Sequence, residues 1–369
     1  MPSALFSPIK LADLELPNRI VVSPMCQYSA DDGCANDWHL THLGMLANSG
    51  AGLLIVEATH VERIGRITHG CLGLYSDANE AALAQVIAHC KRIGTAKLGV
   101  QLAHAGRKGS SQRPWEGGLG LKHNGGGDEP WETIAPSVIP FGDAWPAPRE
   151  MVDSDFDRVR EAFVASAKRA LRIGFDAIEL HGAHGYLMHS FASPISNKRT
   201  DRYGGSRENR FRFPFEVAEA VRAVVPRGIP LGARITGSDW ADEGLAVEDA
   251  LAFAQGLHAR GLDYLDTSSG GVQVDIRNPT GAGYNVSLAE RIKREVGIAT
   301  RVVGLITTPE QAEEIIVSGK ADMVAMARAF LDQPHWGWSA ARALGASVGY
   351  PPQYARASAK FWQPSVAAH

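Results

Sequence analysis

Apolar positions along this chain recur at a helical period and then run together, and the two patterns alternate with a repeated junction between them. An amphipathic stretch ends at glycine and a short apolar run begins almost at once: SGAGLLIVEA from Ser49, IGFDAIELH from Ile173, RGLDYLDTS from Arg260 and SGKADMVAMA from Ser318. Glycine supplies the left-handed turn that closes a helix, and an unbroken apolar run suits a strand covered on both faces. The preceding helices fit. Phe156, Val159, Phe163, Ala167 and Ala170 fall three and four residues apart, on one face of a helix that begins at Asp153 and closes at Gly174. At Thr308 the run Thr-Pro-Glu-Gln gives an N-cap, a proline at the first helical position and a box partner, with closure at Gly319.

The same reading predicts eight strands, over residues 20–23, 53–57, 98–102, 177–180, 231–235, 264–267, 301–304 and 323–326. Strict alternation of strand and helix implies parallel strands joined by right-handed crossovers, and eight such units close into a barrel. A doubly wound open sheet is the competing arrangement. The count of eight, and the absence of G-x-G-x-x-G after the first strand, favour an α/β fold made of a single TIM (β/α)8 barrel over residues 1–369. Two stretches leave the pattern. Residues 104–149 are rich in Gly, Pro and Trp and read as a long loop after the third strand, on the active-site side; residues 350–369 form an extended C-terminal tail. Tyr354, Arg356, Phe361 and Trp362 of that tail are expected to fold back or to meet another subunit.

Composition narrows the function. With 369 residues, 45% hydrophobic and 21% charged, the profile is soluble and globular. The 37 Lys and Arg against 40 Asp and Glu leave a net charge of −3, so neither nucleic acid nor an anionic membrane is an expected partner. No run approaches 18 apolar residues, and the first twenty residues lack the basic and apolar regions of a secretory leader. The four cysteines, Cys26, Cys34, Cys71 and Cys90, form no C-x-x-C pair, which argues against a disulfide scaffold, a zinc ribbon or a cluster. A cytoplasmic protein is expected.

Barrel active sites lie where the strands end, so those residues form one set. They are Ser23, Pro24, Met25, Cys26 and Tyr28; Glu57 and Ala58; Gln101 and His104; His181, His184 and Tyr186; Arg234; Ser268, Ser269 and Gly270; Gly304; and Ala327 and Arg328. The set is polar, mostly uncharged and suited to a planar, hydrogen-bonding ligand. In HGAHGYL the two histidines could ligate zinc, donate to one anionic oxygen or cap the helix that follows. Zinc would need a third ligand from Glu57, Glu179 or Asp266. The same three acids could instead form a glycosidase pair, or a metal-hydrolase site with the histidines. Arg234 could pair with Asp266 or face an anionic ring. Gln101 could satisfy backbone or a ring edge, and Cys26 could be a small buried hydrophobe. The segments VGLIT and ARAFL lie where barrels often hold a phosphate.

In this order SPMCQY, EAT, QLAHAGRK, HGAHGYL, SNKRTDRYGGSRENR, VGLIT and ARAFL resemble the old yellow enzyme family of FMN-dependent ene-reductases, from Leu5 to about Tyr354. The Cys and Tyr of SPMCQY and the paired histidines resemble its thermophilic-like branch, which includes xenobiotic reductases. The resemblance implies FMN held without a covalent bond, with Ser23, Pro24, Met25 and Cys26 lining it. It implies that Ala58 and Gln101 bond the ring, that Arg234 faces its N1/O2 edge, and that Gly304, Ala327 and Arg328 hold the phosphate, with Gly270 a further cofactor contact. It also implies that His181 and His184 bind a substrate carbonyl oxygen, that Tyr186 donates a proton, and that Tyr28 closes the pocket. Arg356 is expected to reach a neighbour's site in a homodimer or homotetramer, and no metal is expected. The implied activity is NADPH-driven, ping-pong reduction of activated C=C bonds in enones, enals, maleimides or nitro compounds. A flavin-binding barrel without turnover is the non-catalytic alternative, and the intact HGAHGYL weighs against it. The chain departs from the family's pattern where Ala327 replaces a glycine and where the tail continues past Arg356.

Overall fold

The computed structural model describes residues 2–123 and 128–362, so residues 124–127 of the long loop and 363–369 of the tail lie outside the described residues. Eight parallel strands close into a barrel: β1 (Ile20–Val22), β2 (Leu53–His60), β3 (Lys97–Ala103), β4 (Ala177–Gly182), β5 (Leu231–Thr236), β6 (Tyr264–Ser268), β7 (Ala299–Val302) and β8 (Met323–Met326). Each pairs with its sequence neighbours, and β8 pairs with β1. A helix follows each strand: α1 (Asp37–Leu46), α2 (Asp77–Ile93), α3 (Asp153–Ile173), α4 (Arg207–Val224), α5 (Val247–Ala259), α6 (Val286–Val296), α7 (Pro309–Val317) and α8 (Trp336–Ala343). The TIM barrel expected from the junctions is therefore the fold.

Alternation along the strands builds two cores. Ile20, Val22, Leu54, Val56, Val100 and Ile178 join the large core with helix residues such as Phe156, Val159 and Phe163. Their neighbours Val21, Leu53, Ile55, Ala177, Tyr264 and Met323 form a separate core. Leu11 and Leu16 of an antiparallel hairpin, Ile9–Leu11 with Leu14–Leu16, join that second core. This floor hairpin has no strong period and was absent from the expected elements.

Two residues further along the same strands the side chains become charged or polar: Gln101, Glu179, Arg234, Asp266 and Arg301, all buried. The apolar floor thus gives way to a polar layer toward the strand ends where barrels of this kind carry their sites.

Three strands differ from expectation by two residues or more at an end. β7 begins at Ala299 and ends at Val302, not at Gly304, because Ala299 and Thr300 pair with Tyr264 and Leu265 while the Val303 carbonyl is taken by the Asn285 amide at 2.8 Å. β2 runs on past Glu57 to His60, with an irregularity in its register to β3 between Val56 and Ala58. β4 extends to Gly182 and so includes His181. Within residues 104–149 the loop carries turns at Gly106–Lys108 and Pro114–Glu116 and a short parallel pair, Ile134–Ala135 with Arg149–Glu150.

Candidate active site

The charged layer of the barrel is one connected network. Arg234 Nε pairs with Asp266 Oδ2, and Arg301 Nη2 bridges Asp266, at 2.9 Å, to Glu179. Gln101 Nε2 donates to Glu179 Oε1 at 2.8 Å, and the Tyr264 hydroxyl donates to Oε2 at 3.2 Å. Burial alone would raise the Asp266 carboxyl, but Arg234 and Arg301 outweigh it and hold it below the ordinary range. Of the two readings of Arg234, the pairing with Asp266 is present at Nε, while Nη2 reaches Ser23 Oγ at 3.3 Å. Because a carboxylate only accepts, Gln101 must turn its nitrogen toward Glu179, so its carbonyl end faces the other way.

The candidate acids are thus engaged. Glu57 lies 3.5 Å from His39 Nε2 of α1 and accepts the Gln27 amide at 2.9 Å, which fixes the Met25–Tyr28 segment from behind. With Glu179 and Asp266 in the arginine network, all three are committed to protein partners rather than to the histidine pair. His104 also leaves the set, because its Nε2 meets Glu62 at 3.2 Å.

His181 and His184 stand together, their ring centroids 5.2 Å apart and nearly perpendicular, and Tyr186 packs edge-on to His181 at 4.7 Å. Burial first, then neighbouring charges including Arg234 and Lys108, holds both imidazoles well below the usual histidine value, so they are neutral. His181 Nδ1 accepts the Ala183 amide at 3.3 Å, which places its hydrogen on Nε2. His184 Nε2 meets the Ser268 hydroxyl at 2.7 Å, and that hydroxyl can donate and leave the His184 hydrogen on Nδ1. Burial, with Cys26 and Cys71 adding to it, raises the Tyr186 phenol, so it keeps its proton.

The turn bearing these groups is strained and braced. His184 and Gly185 are both left-handed, at φ +60° and +76°, and a Cβ on Gly185 would sit 2.3 Å from the Gly271 carbonyl oxygen. The His184 amide donates to Thr236 Oγ1 at 3.2 Å, and the Gly185 amide donates to His189 Nδ1 at 2.7 Å. His189 Nε2 in turn lies 3.0 Å from buried Asp239.

The first-strand residues adjoin this turn. Cys26, Tyr28 and Tyr186 pack on the small cluster of Ile67, Cys71 and Ala105. Burial, then Cys71 and Glu57, raises the Cys26 thiol, so it stays a neutral thiol. Tyr28 is left-handed at φ +52°, and its carbonyl accepts Arg113 Nε at 3.1 Å. Tyr28, Lys108, Ser111, Gln112, Trp145 and Tyr186 are among the residues lining a cavity of about 290 Å³.

In the segments that follow β6 and β7, Gly270 and Gly304 take φ +67° and +142°, with Asn278 and Tyr284 packed against them. Ala327 has φ −109°, so this position does not require the glycine it replaces, and Arg328 opens the short helix Arg328–Asp332. Arg356 is exposed and is not brought to the chain's own site. It lines a separate surface hollow with Gln353, Tyr354, Ala357, Phe361 and Trp362.

Comparison with known proteins decides the family. A profile of the NADH:flavin oxidoreductase / NADH oxidase family matches residues 4–345. The chain belongs to this family. It is 44% identical over 358 residues, covering 96% of this chain and 99% of the relative, to an NADPH dehydrogenase of Geobacillus thermodenitrificans (strain NG80-2). It is 43% identical over 360 residues, covering 97% and 100%, to an NADPH dehydrogenase of Bacillus velezensis (strain DSM 23117 / BGSC 10A6 / LMG 26770 / FZB42). Among solved structures, morphinone reductase superposes with a TM-score of 0.77 at 26% identity, covering 96% of this chain and 93% of that one. The protein is an NAD(P)H-dependent flavin oxidoreductase whose cofactor is FMN. The donor set fits that group: a guanidinium and a primary amide are fixed in one buried network, and Arg234 reaches Ser23, which Met25 and the neutral Cys26 thiol follow in the chain.

Sequence reasoning missed Arg301, which lies in the middle of the network, and Lys108, which lines the cavity. Both carry the signal that singled out Arg234, a cation on or just past an apolar strand.

Proposed function

We propose that the protein is an ene-reductase: with NADPH as reductant, it reduces the activated C=C bond of α,β-unsaturated carbonyl compounds by a ping-pong mechanism. The observation that carries the reading is the turn of two neutral imidazoles and one protonated phenol beside the barrel mouth. When bound, FMN supplies a hydride taken from NADPH. The residues that would hold it are Ser23, Pro24, Met25, Cys26, Ala58, Gln101 and Arg234 around the ring, with Gly304, Ala327 and Arg328 at the phosphate and Gly270 as a further contact. Arg234 would balance negative charge on the reduced ring.

His181 and His184 each offer one N–H to the substrate carbonyl oxygen. Their neutrality matters: a neutral donor stabilises the developing enolate oxyanion without handing it a proton. Tyr186, kept protonated by burial, delivers its proton to the α-carbon. Tyr28 and the cavity walls orient the substrate and exclude water. Arg356, exposed on the tail, serves a neighbouring subunit's site in a homodimer or homotetramer.

The test is spectroscopic. The purified protein should be yellow, bleach with NADPH under anaerobic conditions and recover its colour on adding 2-cyclohexenone. Bleaching without recovery would leave an NADPH oxidoreductase that is not an ene-reductase.

A further inference from the structure

Lys108 ends the turn Gly106–Lys108 that follows β3, and no step above uses it. Its Nζ donates to the carbonyls of His184 at 2.7 Å and Gly271 at 3.1 Å, and lies over the rings of Phe141 at 4.3 Å and Tyr186 at 4.9 Å. An ammonium has three N–H bonds, and two are spent on these carbonyls. Among the described residues no carboxylate pairs with it, and the charged neighbour acting on it is another cation, Arg107. Burial first, and then Arg107, pushes the Lys108 pKa down to about 7. Holding a cation in such a place is unfavourable unless something balances it.

The side chain is only partly buried, and it lines the cavity of about 290 Å³ that Tyr28, Ser111, Gln112 and Tyr186 also line. The two carbonyls and two aromatic faces hold the ammonium, so a bound anion would meet a preset donor rather than a mobile surface lysine. Gln112 adds a neutral side-chain amide on the same wall, whereas the Ser111 hydroxyl is spent on the Lys108 carbonyl at 3.0 Å and on Trp145 Nε1 at 2.8 Å.

We infer that Lys108 is a specificity-determining residue that receives a carboxylate, so that the site prefers α,β-unsaturated carbonyl substrates carrying a carboxylate away from the reacting double bond. This rests on the ene-reductase reading. The nucleotide's phosphates are a second source of anionic charge.

The test is calorimetric titration of the FMN-loaded protein with 4-hydroxybenzoate and with its methyl ester, which share a phenol for the histidine pair and differ in the carboxylate. The acid should bind about tenfold more tightly than the ester to the wild type, as expected for one charge-assisted contact. Lys108→Met and Lys108→Gln should abolish this preference, whereas Lys108→Arg should keep it. Equal binding of acid and ester by the wild type overturns the assignment, and this arm stands even where a variant fails to fold. A preference that survives in Lys108→Met or Lys108→Gln also overturns it. So does a Lys108→Met variant that loses affinity for adenosine 2′,5′-bisphosphate but keeps the acid preference, which would give the lysine to the nucleotide. Recovery of flavin colour with 2-cyclohexenone, measured on the same wild-type sample, reports separately on the underlying reading.

Discussion

At the scale of the residue, the proposed function depends on protonation states set by burial. His181, His184 and Tyr186 are ordinary titratable groups that the barrel mouth holds in their neutral forms. The consequence for pH has a definite sign. Folded values below the usual histidine range mean that the unfolded chain binds more protons at mildly acid pH. The stability linked to this pair is therefore complete above about pH 6.5, the unfolded value, and is lost as pH falls toward the folded values. Urea midpoints followed from about pH 8 to pH 5 should fall below that point, and the fall should be shallower in the variant carrying His181→Ala and His184→Ala. Equal slopes would mean that the pair is not buried neutral. The sequence made these residues legible as a group through HGAHGYL. It could not yield their protonation states or the left-handed turn at His184, because both depend on Thr236, Ser268 and Gly271, which are far away in the chain.

Among the elements, the strands do two kinds of work that a linear pattern separates only in part. Apolar runs and glycine junctions were enough to place eight strands, because a strand covered on both faces has no other easy composition. The polar layer was harder to read. Arg301 lies inside a strand expected to begin at that residue, and its partners come from β4 and β6. Removing one member of such a network leaves charge buried without balance, so Arg301→Met should destabilise the protein by about 3–5 kcal/mol in chemical denaturation. Lys10→Ala, which breaks an ion pair whose side chains are 64% and 78% exposed, should change stability by less than about 0.5 kcal/mol. Similar losses in the two variants would remove the network from the account of the fold. The floor hairpin and the end of β7 escaped the sequence reading for a related reason: tertiary partners, Leu53 and Ile55 for the hairpin and Asn285 for Val303, decide them.

For the whole molecule, the barrel brings side chains from strands remote in sequence to one mouth, and the 104–149 loop adds Lys108, Ser111 and Trp145 to its wall. The tail belongs to a larger scale. Arg356, Phe361 and Trp362 are exposed in the single chain, the observation behind the proposed contact with a neighbouring subunit. Arg356→Ala should raise the KM for an enone several-fold while leaving FMN bound, and sedimentation should give a dimer or a tetramer. An unaltered KM would count against the shared site. The central claim, that two neutral imidazoles carry the substrate's oxyanion, is tested most directly by rapid mixing of the pre-reduced, FMN-loaded protein with 2-cyclohexenone. The variant carrying both His181→Ala and His184→Ala should retain FMN and be reduced by NADPH, yet reoxidise at least about 100-fold more slowly than wild type, the loss expected for removing oxyanion donors. Reoxidation at the wild-type rate would contradict the account.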